Sequence, residues 1–356
     1  MATAATEMGS PGVEAFAGRV IGDASATFVT VLAAMGDRLG LFKALAMSGA
    51  ATSAELASRA GIHERYAREW CGGMASAGYL TYDSETGRFE LPAEHAPALA
   101  EEGGAFFMGG AYQQVLALGS IYDALTAAFR HGGGVPQSAY DERFWEGMER
   151  FTAVWYNNLL VQKWLPSLPD VQARLERGVE FADVGCGRGR AILRLAQEFP
   201  ASSFTGYDVL ASNIEAARAH AEHSGVAGRV SFEVLDASRG LPRKFDVITT
   251  FDVVHDAADP LALLRSIREG LAEDGTYVCV DINCSHRLEE NRGPLGALFH
   301  GVSLLYCMTT SLANGGAGLG TLGLHEHRLQ EYAAAAGFRA VRRAFQDPFN
   351  NLYELR

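Results

Sequence analysis

The chain of 356 residues is short of proline (11), of charge (20% Asp, Glu, Lys and Arg) and of cysteine (five). With 48% apolar residues, the first two scarcities exclude a disordered, collagen-like or linker-dominated chain. Cys71, Cys186, Cys279, Cys284 and Cys307 are an odd set with no CxxC pair, which excludes a disulfide framework and a zinc ribbon and reads as reduced thiols. The longest nearly unbroken apolar stretches, around Val29–Met35 and Val302–Met308, fall short of the roughly 20 residues that cross a bilayer, so no transmembrane helix is predicted. The first residues, MATAATEMGSPG, lack the basic region and apolar core of a secretory signal, and Glu7 and Glu14 do not suit a transit peptide. A cytoplasmic location is expected. No basic patch is evident, and a net charge of −12 opposes a phosphate backbone; neither nucleic acid nor membrane is an expected partner. What the chain has in excess is glycine, at 40 residues. Its length allows two domains.

Residues 1–95 read as helices followed by a hairpin. Phe28, Val31, Leu32, Met35, Leu39 and Phe42 recur at helical steps as one apolar stripe. Thr52 or Ser53 caps ELASRAG, Gly61 closes it, and HERYAREWCGGMASAG forms a second helix ending near Gly78. YLTYD and RFELP, joined by SETG, complete a winged-helix order. Residues 96–178 look helical throughout and are expected to bridge two domains. Their aromatics Trp145, Phe151, Trp155, Tyr156 and Trp164 read as core, and Gly132–Gly134 form a break without an evident reason. From Val179 the period changes. VEFADVG, SSFTGYDV, RVSFEVLDA, FDVITTFDVV and GTYVCVDI read as strands, alternating at first with helices near 190–199, 211–224 and 259–271. Such alternation predicts an α/β domain, 179–356, with a mostly parallel sheet covered on both faces. An irregular segment 283–323, a helix near 326–336 and a final hairpin of RAVRRAF and NLYELR complete it.

The sharpest signal is FADVGCGRGR at 181–190, a strand followed by Gly185, Gly187 and Gly189 opening a helix. Glycines permit positive φ and close approach of a ligand to the backbone. A dinucleotide fingerprint would need glycine or alanine at 190, where Arg190 stands, and no phosphate-binding GxxxxGK[ST] loop is present. An NAD-dependent dehydrogenase is therefore disfavoured. Asp183 lies near the first strand's end, Asp208 ends the second, 19 residues past Gly189, and Asp236 ends the third. Three carboxylates at adjacent strand ends repel a phosphate and suit a cationic ligand carrying a ribose and a base.

DVGCGRG, Asp208, the LDA around Asp236 and FDVITTFDVVHD together resemble class I S-adenosylmethionine-dependent methyltransferases over about 179–356. The preceding winged helix and SLLYCMTTSLANGGAGLGT are similar to a group of bacterial, largely actinobacterial, small-molecule methyltransferases. The resemblance implies a Rossmann-like seven-stranded methyltransferase sheet with a C-terminal antiparallel hairpin, preceded by a mostly α winged-helix domain. It implies S-adenosylmethionine as cofactor, with the glycine loop against its methionine part. Asp208 with Val209 would lie at the ribose, Asp236 with Ala237 at the adenine, and Phe251 and Asp252 towards the sulfonium.

VHDAAD is similar to the HDW segment of plant-type O-methyltransferases, with Ala257 in place of the tryptophan, which makes His255 the candidate general base. Asp256 and Asp259 read as helix caps, Asp259 the better one. A magnesium-assisted variant on Asp252, Asp281 and Asn283 departs from its pattern in the Asp-x-Asn spacing, and no metal is expected; His325 and His327 read as solvated. The segment 283–323 is expected to be a lid over the acceptor, with His286, His300, Tyr306, Met308 and Asn314 as pocket residues and Gly315, Gly316, Gly318 and Gly320 as hinge or tight turn. Between Val31 and Pro92 six basic residues face seven acidic ones, which disfavours a cofactor-sensing DNA-binding regulator and favours dimerisation through the winged helix. The expected reaction is O-methylation of a small molecule, with N- or C-methylation as alternatives.

Overall fold

The computed structural model describes residues 11–356; the expectations about a leader rest on residues 1–14, of which 1–10 lie outside them. The chain divides into two compact units, 1–116 and 117–356. The break falls inside the expected bridge 96–178, because its helices beyond 117 pack into the second unit: Leu160 and Trp164 join the sheet core.

The first unit runs α1 (Pro11–Arg38), α2 (Leu41–Ser48), α3 (Ser53–Ala60), α4 (Glu64–Ser76), β1 (Thr81–Asp83), β2 (Arg88–Glu90), α5 (Ala96–Leu99) and α6 (Gly109–Ala117). Thr52 caps α3 in a reciprocal box with Glu55, Gly61 ends it at φ +66°, and β1 pairs antiparallel with β2. The apolar stripe is only partly right. Gly40, at φ +68°, separates Phe42 from α1, and Phe28, Met35 and Leu39 are exposed. Ala33 and, half-buried, Val29 and Leu32 make the contact with Trp70 and Phe42.

The second unit continues with α7 (Tyr122–His131), α8 (Glu142–Trp155), a π-helical stretch Tyr156–Trp164 and α9 (Pro169–Arg177). Then come β3 (Glu180–Val184), α10 (Arg190–Glu198), β4 (Ser203–Asp208), α11 (Ala211–Ser224), β5 (Val230–Val234), β6 (Phe245–Phe251), α12 (Pro260–Gly270) and β7 (Leu271–Ile282). The chain ends with α13 (Pro294–Val302), α14 (Met308–Ala313), α15 (Glu326–Ala336), β8 (Val341–Gln346) and β9 (Asn350–Leu355). The seven strands lie in the order β5-β4-β3-β6-β7-β9-β8, and β9 alone runs opposite to the other six. One face buries Ile192, Leu195 and Ile214, the other Leu264, Ile267 and Leu329. Each such side chain contributes about 1.5–3 kcal/mol of transfer free energy.

The segment 283–323 is not irregular. Its apolar residues form α13, a π-helical turn Ser303–Cys307 and α14. The glycine run after α14 is a pinned turn: Gly316 N–H donates to the Ser311 carbonyl, Ala317 N–H to that of Ala258 and Gly318 N–H to Ser311 Oγ. The Gly132–Gly134 break has a cause as well. Gly132 ends α7 at φ +73°, and a Cβ on Gly134 would lie 1.9 Å from the Thr309 carbonyl oxygen. The expectation of no membrane-length helix needs correction, since Gly12–Arg38 and Pro294–Ala313 are long and apolar enough by length and composition to cross a bilayer. Small residues between the larger apolar ones lengthen both stretches.

Candidate active site

Beyond the carboxyl end of β3, Gly185, Gly187 and Gly189 all take positive φ (73°, 53° and 79°). A Cβ on Gly185 would strike Val253, and one on Gly189 would strike Phe232; at Gly187 nothing lies within 4 Å. Packing therefore demands the outer two, while Gly187 presents open backbone. The loop is fixed to β4, because Gly185 and Cys186 N–H both donate to the Tyr207 carbonyl.

Asp208 is partly exposed as a residue, but its carboxylate is enclosed. Oδ2 accepts from Gly187 N–H (2.9 Å) and Oδ1 from Leu210 N–H (2.9 Å), while burial, outweighing these bonds, raises its pKa. Val209 beside it is exposed. Asp183 is buried and accepts from Thr249 Oγ1 at 2.7 Å; burial pushes it up to about 7 against that bond. Asp236 departs from its expected availability. It caps the turn Ala237–Arg239, with Oδ1 accepting from Ser238 N–H and Oγ and Oδ2 paired to Arg239 at 3.0 Å. Ala237 is buried.

At the end of β6, Phe251 does not face outward: its ring stacks on Trp164 (centroids 5.9 Å apart) and meets Tyr156 edge-on. The expected core role holds for Trp145 and Trp164, which are buried. Tyr156 packs against the same core, and burial with the charges of Asp183 and Asp252 pushes its hydroxyl well above its ordinary value. Asp252 has φ +56°, a strained conformation for a residue with a side chain, and accepts from Asn350 Nδ2 at 3.1 Å. Burial and the Asp281 charge raise its pKa.

His255, 2% exposed, lies between two carboxylates. Its Nδ1 is 2.7 Å from Asp281 Oδ1 and its Nε2 is 3.1 Å from Asp256 Oδ1, the latter an ion-pair distance without hydrogen-bond alignment. Burial alone would lower its pKa, but Asp281 and Asp256 outweigh burial and hold it well above the ordinary value. Asp256 thus faces His255 instead of capping α12, the role Asp259 takes by accepting from Ala262 N–H. Donor atoms of Asp252, His255 and Asp281 lie within 4.8 Å of one another, as do those of His255, Asp256 and Cys307. Asn283 stands apart, bonded to Asp347, Gln346 and Asn351. The Asp281 partnership escaped the sequence reading. A signal existed: Phe251 on β6 pairs with Val280 on β7, so an acid just after each pairing comes to one rim.

The five expected acceptor residues do not converge. Tyr306 is buried among Tyr140, Phe144 and Trp145 and bonds Gln137 Nε2 at 3.2 Å. Met308 is half-buried, Asn314 Nδ2 donates to the Thr310 carbonyl at the end of α14, and His300 is exposed. His286 lines a separate cleft of about 780 Å³ with His325, Arg292, Leu295 and Phe299, which shares no residue with the glycine loop. His325 caps α15 by accepting Arg328 N–H. In the first unit the arginines of α4 are paired, Arg65 to Glu69 and Arg68 to Glu64.

Residues 175–320 match a methyltransferase domain family and residues 27–101 an Rv2258c-like winged HTH domain. A curated relative, the ubiquinone biosynthesis O-methyltransferase of Cereibacter sphaeroides, is 35% identical over 109 residues, and the match spans 30% of this chain and 42% of that protein. Human N-acetylserotonin methyltransferase, solved with S-adenosylmethionine, superposes with a TM-score of 0.68 at 18% identity, covering 98% of this chain and 99% of the other. An O-methyltransferase family protein from Burkholderia thailandensis also gives 0.68 at 18% identity, covering 95% and 97%. The glycine loop and its acidic partners thus lie at the carboxyl rim of a seven-stranded sheet, inside the stretch 175–320 that matches a methyltransferase domain and C-terminal to the stretch 27–101 that matches a winged HTH domain.

Proposed function

We propose that the protein methylates a hydroxyl oxygen of a small-molecule acceptor. The observation that carries this reading is the meeting at one sheet rim of an open glycine backbone at Gly187, the enclosed Asp208 carboxylate and the His255–Asp281 pair. Asp208 and Val209 would hold the ribose, Ala237 and Asp236 the adenine side, and Gly185–Gly189 with Asp183 the methionine side. The donor set fits: carboxylates and backbone, with a position lacking a Cβ, Gly187, where the ligand approaches. When bound, S-adenosylmethionine supplies an electrophilic methyl group on a sulfonium centre.

This chain's residues then position and deprotonate. Holding acceptor and methyl carbon in contact can lower a barrier by about 7–11 kcal/mol. The acceptor's hydroxyl proton passes to His255 Nε2 after Asp256 has left that nitrogen, while Asp281 keeps the proton on Nδ1 and fixes the ring. Such a base contributes about 10²–10⁴-fold. Tyr306, Met308 and Asn314, with His286 and His300, stand on the segment we assign to covering the acceptor. The paired arginines of α4 oppose a nucleic-acid role for the winged helix, and we assign that unit to homodimerisation. Five unpaired thiols favour the cytoplasm.

Calorimetric titration with S-adenosylhomocysteine, followed by turnover on a panel of hydroxylated aromatic acceptors, tests the reading. Expected are binding by the wild type, loss of binding in Asp208→Ala and O-methyl products identified by mass and NMR. A wild type that binds no S-adenosylhomocysteine sinks the reading; N- or C-methyl products overturn its oxygen chemistry.

A further inference from the structure

From the cluster around the glycine loop we infer that Glu149, on α8, is a positioning residue for that loop: it holds Arg188 and Arg190 and offsets their charge beside a cationic cofactor. The inference rests on the reading above that this loop holds S-adenosylmethionine. Glu149 is enclosed, with its side chain 9% exposed, and so is Arg188 at 9%. Its Oε2 lies 3.3 Å from Arg188 Nη1, and its Oε1 accepts from Arg190 Nε at 2.5 Å and lies 3.5 Å from His220 Nε2. His220 Nδ1 in turn stands 3.2 Å from the Arg188 carbonyl, so the ring bridges Glu149 and the loop backbone. Glu142, two helical turns before Glu149, takes the other end of Arg188.

Arg188 lies between Gly187, whose N–H is held by Asp208, and Gly189, which opens α10. Two guanidinium groups therefore stand at the positive end of a helix, on a loop whose ligand is itself a cation. That placement is unfavourable twice over unless carboxylates face the arginines, and α8 brings Glu142 and Glu149 to them. Buried charges that lose one partner are strongly destabilised, because the remaining charge keeps its desolvation cost without its compensation. Arg188 Nε has no partner among the described residues and is buried, so the guanidinium depends on its Nη contacts. The same helix carries Phe144 and Trp145 into the Tyr140–Tyr306 aromatic cluster, which makes α8 the physical link between the loop and the 303–313 segment.

A charge role and a shape role separate by ligand. S-adenosylmethionine carries the sulfonium cation and S-adenosylhomocysteine does not. Glu149→Gln keeps the side chain's size and removes its charge, and equilibrium titration should show S-adenosylmethionine binding at least fivefold more weakly with S-adenosylhomocysteine changed less than twofold. Arg190→Gln, at a partly exposed position, should act oppositely, tightening S-adenosylmethionine relative to S-adenosylhomocysteine at least twofold, and should restore the ratio when combined with Glu149→Gln. Equal losses for both ligands, or no loss, overturn the inference while leaving the cofactor reading intact. If Glu149→Gln does not fold, an unchanged ligand ratio in Arg190→Gln overturns it alone. A wild type that binds neither ligand removes both.

Discussion

His255 and Asp281 are joined at 2.7 Å across the rim formed by β6 and β7, with both side chains buried. Asp281 Oδ1 also accepts the Ile282 N–H at 2.8 Å, so the carboxylate is fixed by its own backbone before it fixes the imidazole. A ring held at Nδ1 has one orientation and one nitrogen, Nε2, left to exchange a proton. Asp281→Asn should therefore lower kcat about 10–10²-fold with S-adenosylhomocysteine affinity within twofold of wild type, and His255→Ala should lower kcat at least tenfold. Steady-state rates beside calorimetric affinities check this, and unchanged turnover in His255→Ala removes it from the mechanism.

The pH dependence of turnover follows from the same pair. Asp281 and Asp256 hold the His255 pKa above its ordinary value, so a base role requires kcat to rise with pH through a point well above ~6.5. Removing one carboxylate, as Asp256→Asn, should move that limb to lower pH. A limb that stays in place in Asp256→Asn, or a flat profile, contradicts the assignment.

Folding stability should respond to pH through Asp183. Burial raises it from 3.8 to about 7, so the folded chain binds this proton more tightly than the unfolded chain does. The stability it supplies is present below about pH 4 and is lost as pH rises towards about 7. Asp183→Asn removes that part of the slope. Thermal melts of both proteins between these limits measure it, and parallel curves count against a buried, shifted Asp183.

Two glycines give opposite expectations. A Cβ at Gly134 meets backbone atoms, the Thr309 oxygen at 1.9 Å and the Ala313 nitrogen at 2.6 Å, so Gly134→Ala should cost about 1–3 kcal/mol and lower Tm. Gly187→Ala meets nothing and carries only the strain of φ +53°, about 1–2 kcal/mol, yet it places a methyl on the open side of the loop. Its cofactor affinity should fall at least tenfold. Normal affinity in Gly187→Ala means that the ligand does not approach there.

The elements that were legible are those whose signal is local. The spans 180–184, 203–208 and 245–251 follow from apolar and β-branched runs, and the α3 cap was narrowed to Thr52 or Ser53, of which Thr52 takes it. The winged-helix order and the glycine loop were legible for the same reason. What was hidden depends on which strand ends or helices become neighbours. Asp281 meets His255 only because β6 pairs with β7, Gly134 meets Thr309 through a contact 175 residues apart, and Glu149 meets Arg188 across a helix and a loop. Phe251 was misread because strand alternation gives a residue's face but not which aromatic neighbours, Trp164 and Tyr156, will cover it.

The exposed side of α1 gives a last prediction. Val13, Phe16, Val20, Ile21, Phe28 and Met35 stand on it at steps that keep to adjacent helical lines, and all are about half exposed or more. A contiguous apolar face of this length is unfavourable in water, and a second copy of the chain would cover it with a like face. Ile21→Asp combined with Phe28→Asp should convert a dimer to a monomer in light scattering, with the melting of the second unit little changed. Because α1 also has the length and apolar composition to cross a bilayer, co-sedimentation with lipid vesicles is the decisive control. A monomeric wild type that sediments with vesicles, and loses that property in the double variant, assigns the face to a membrane and overturns the dimer.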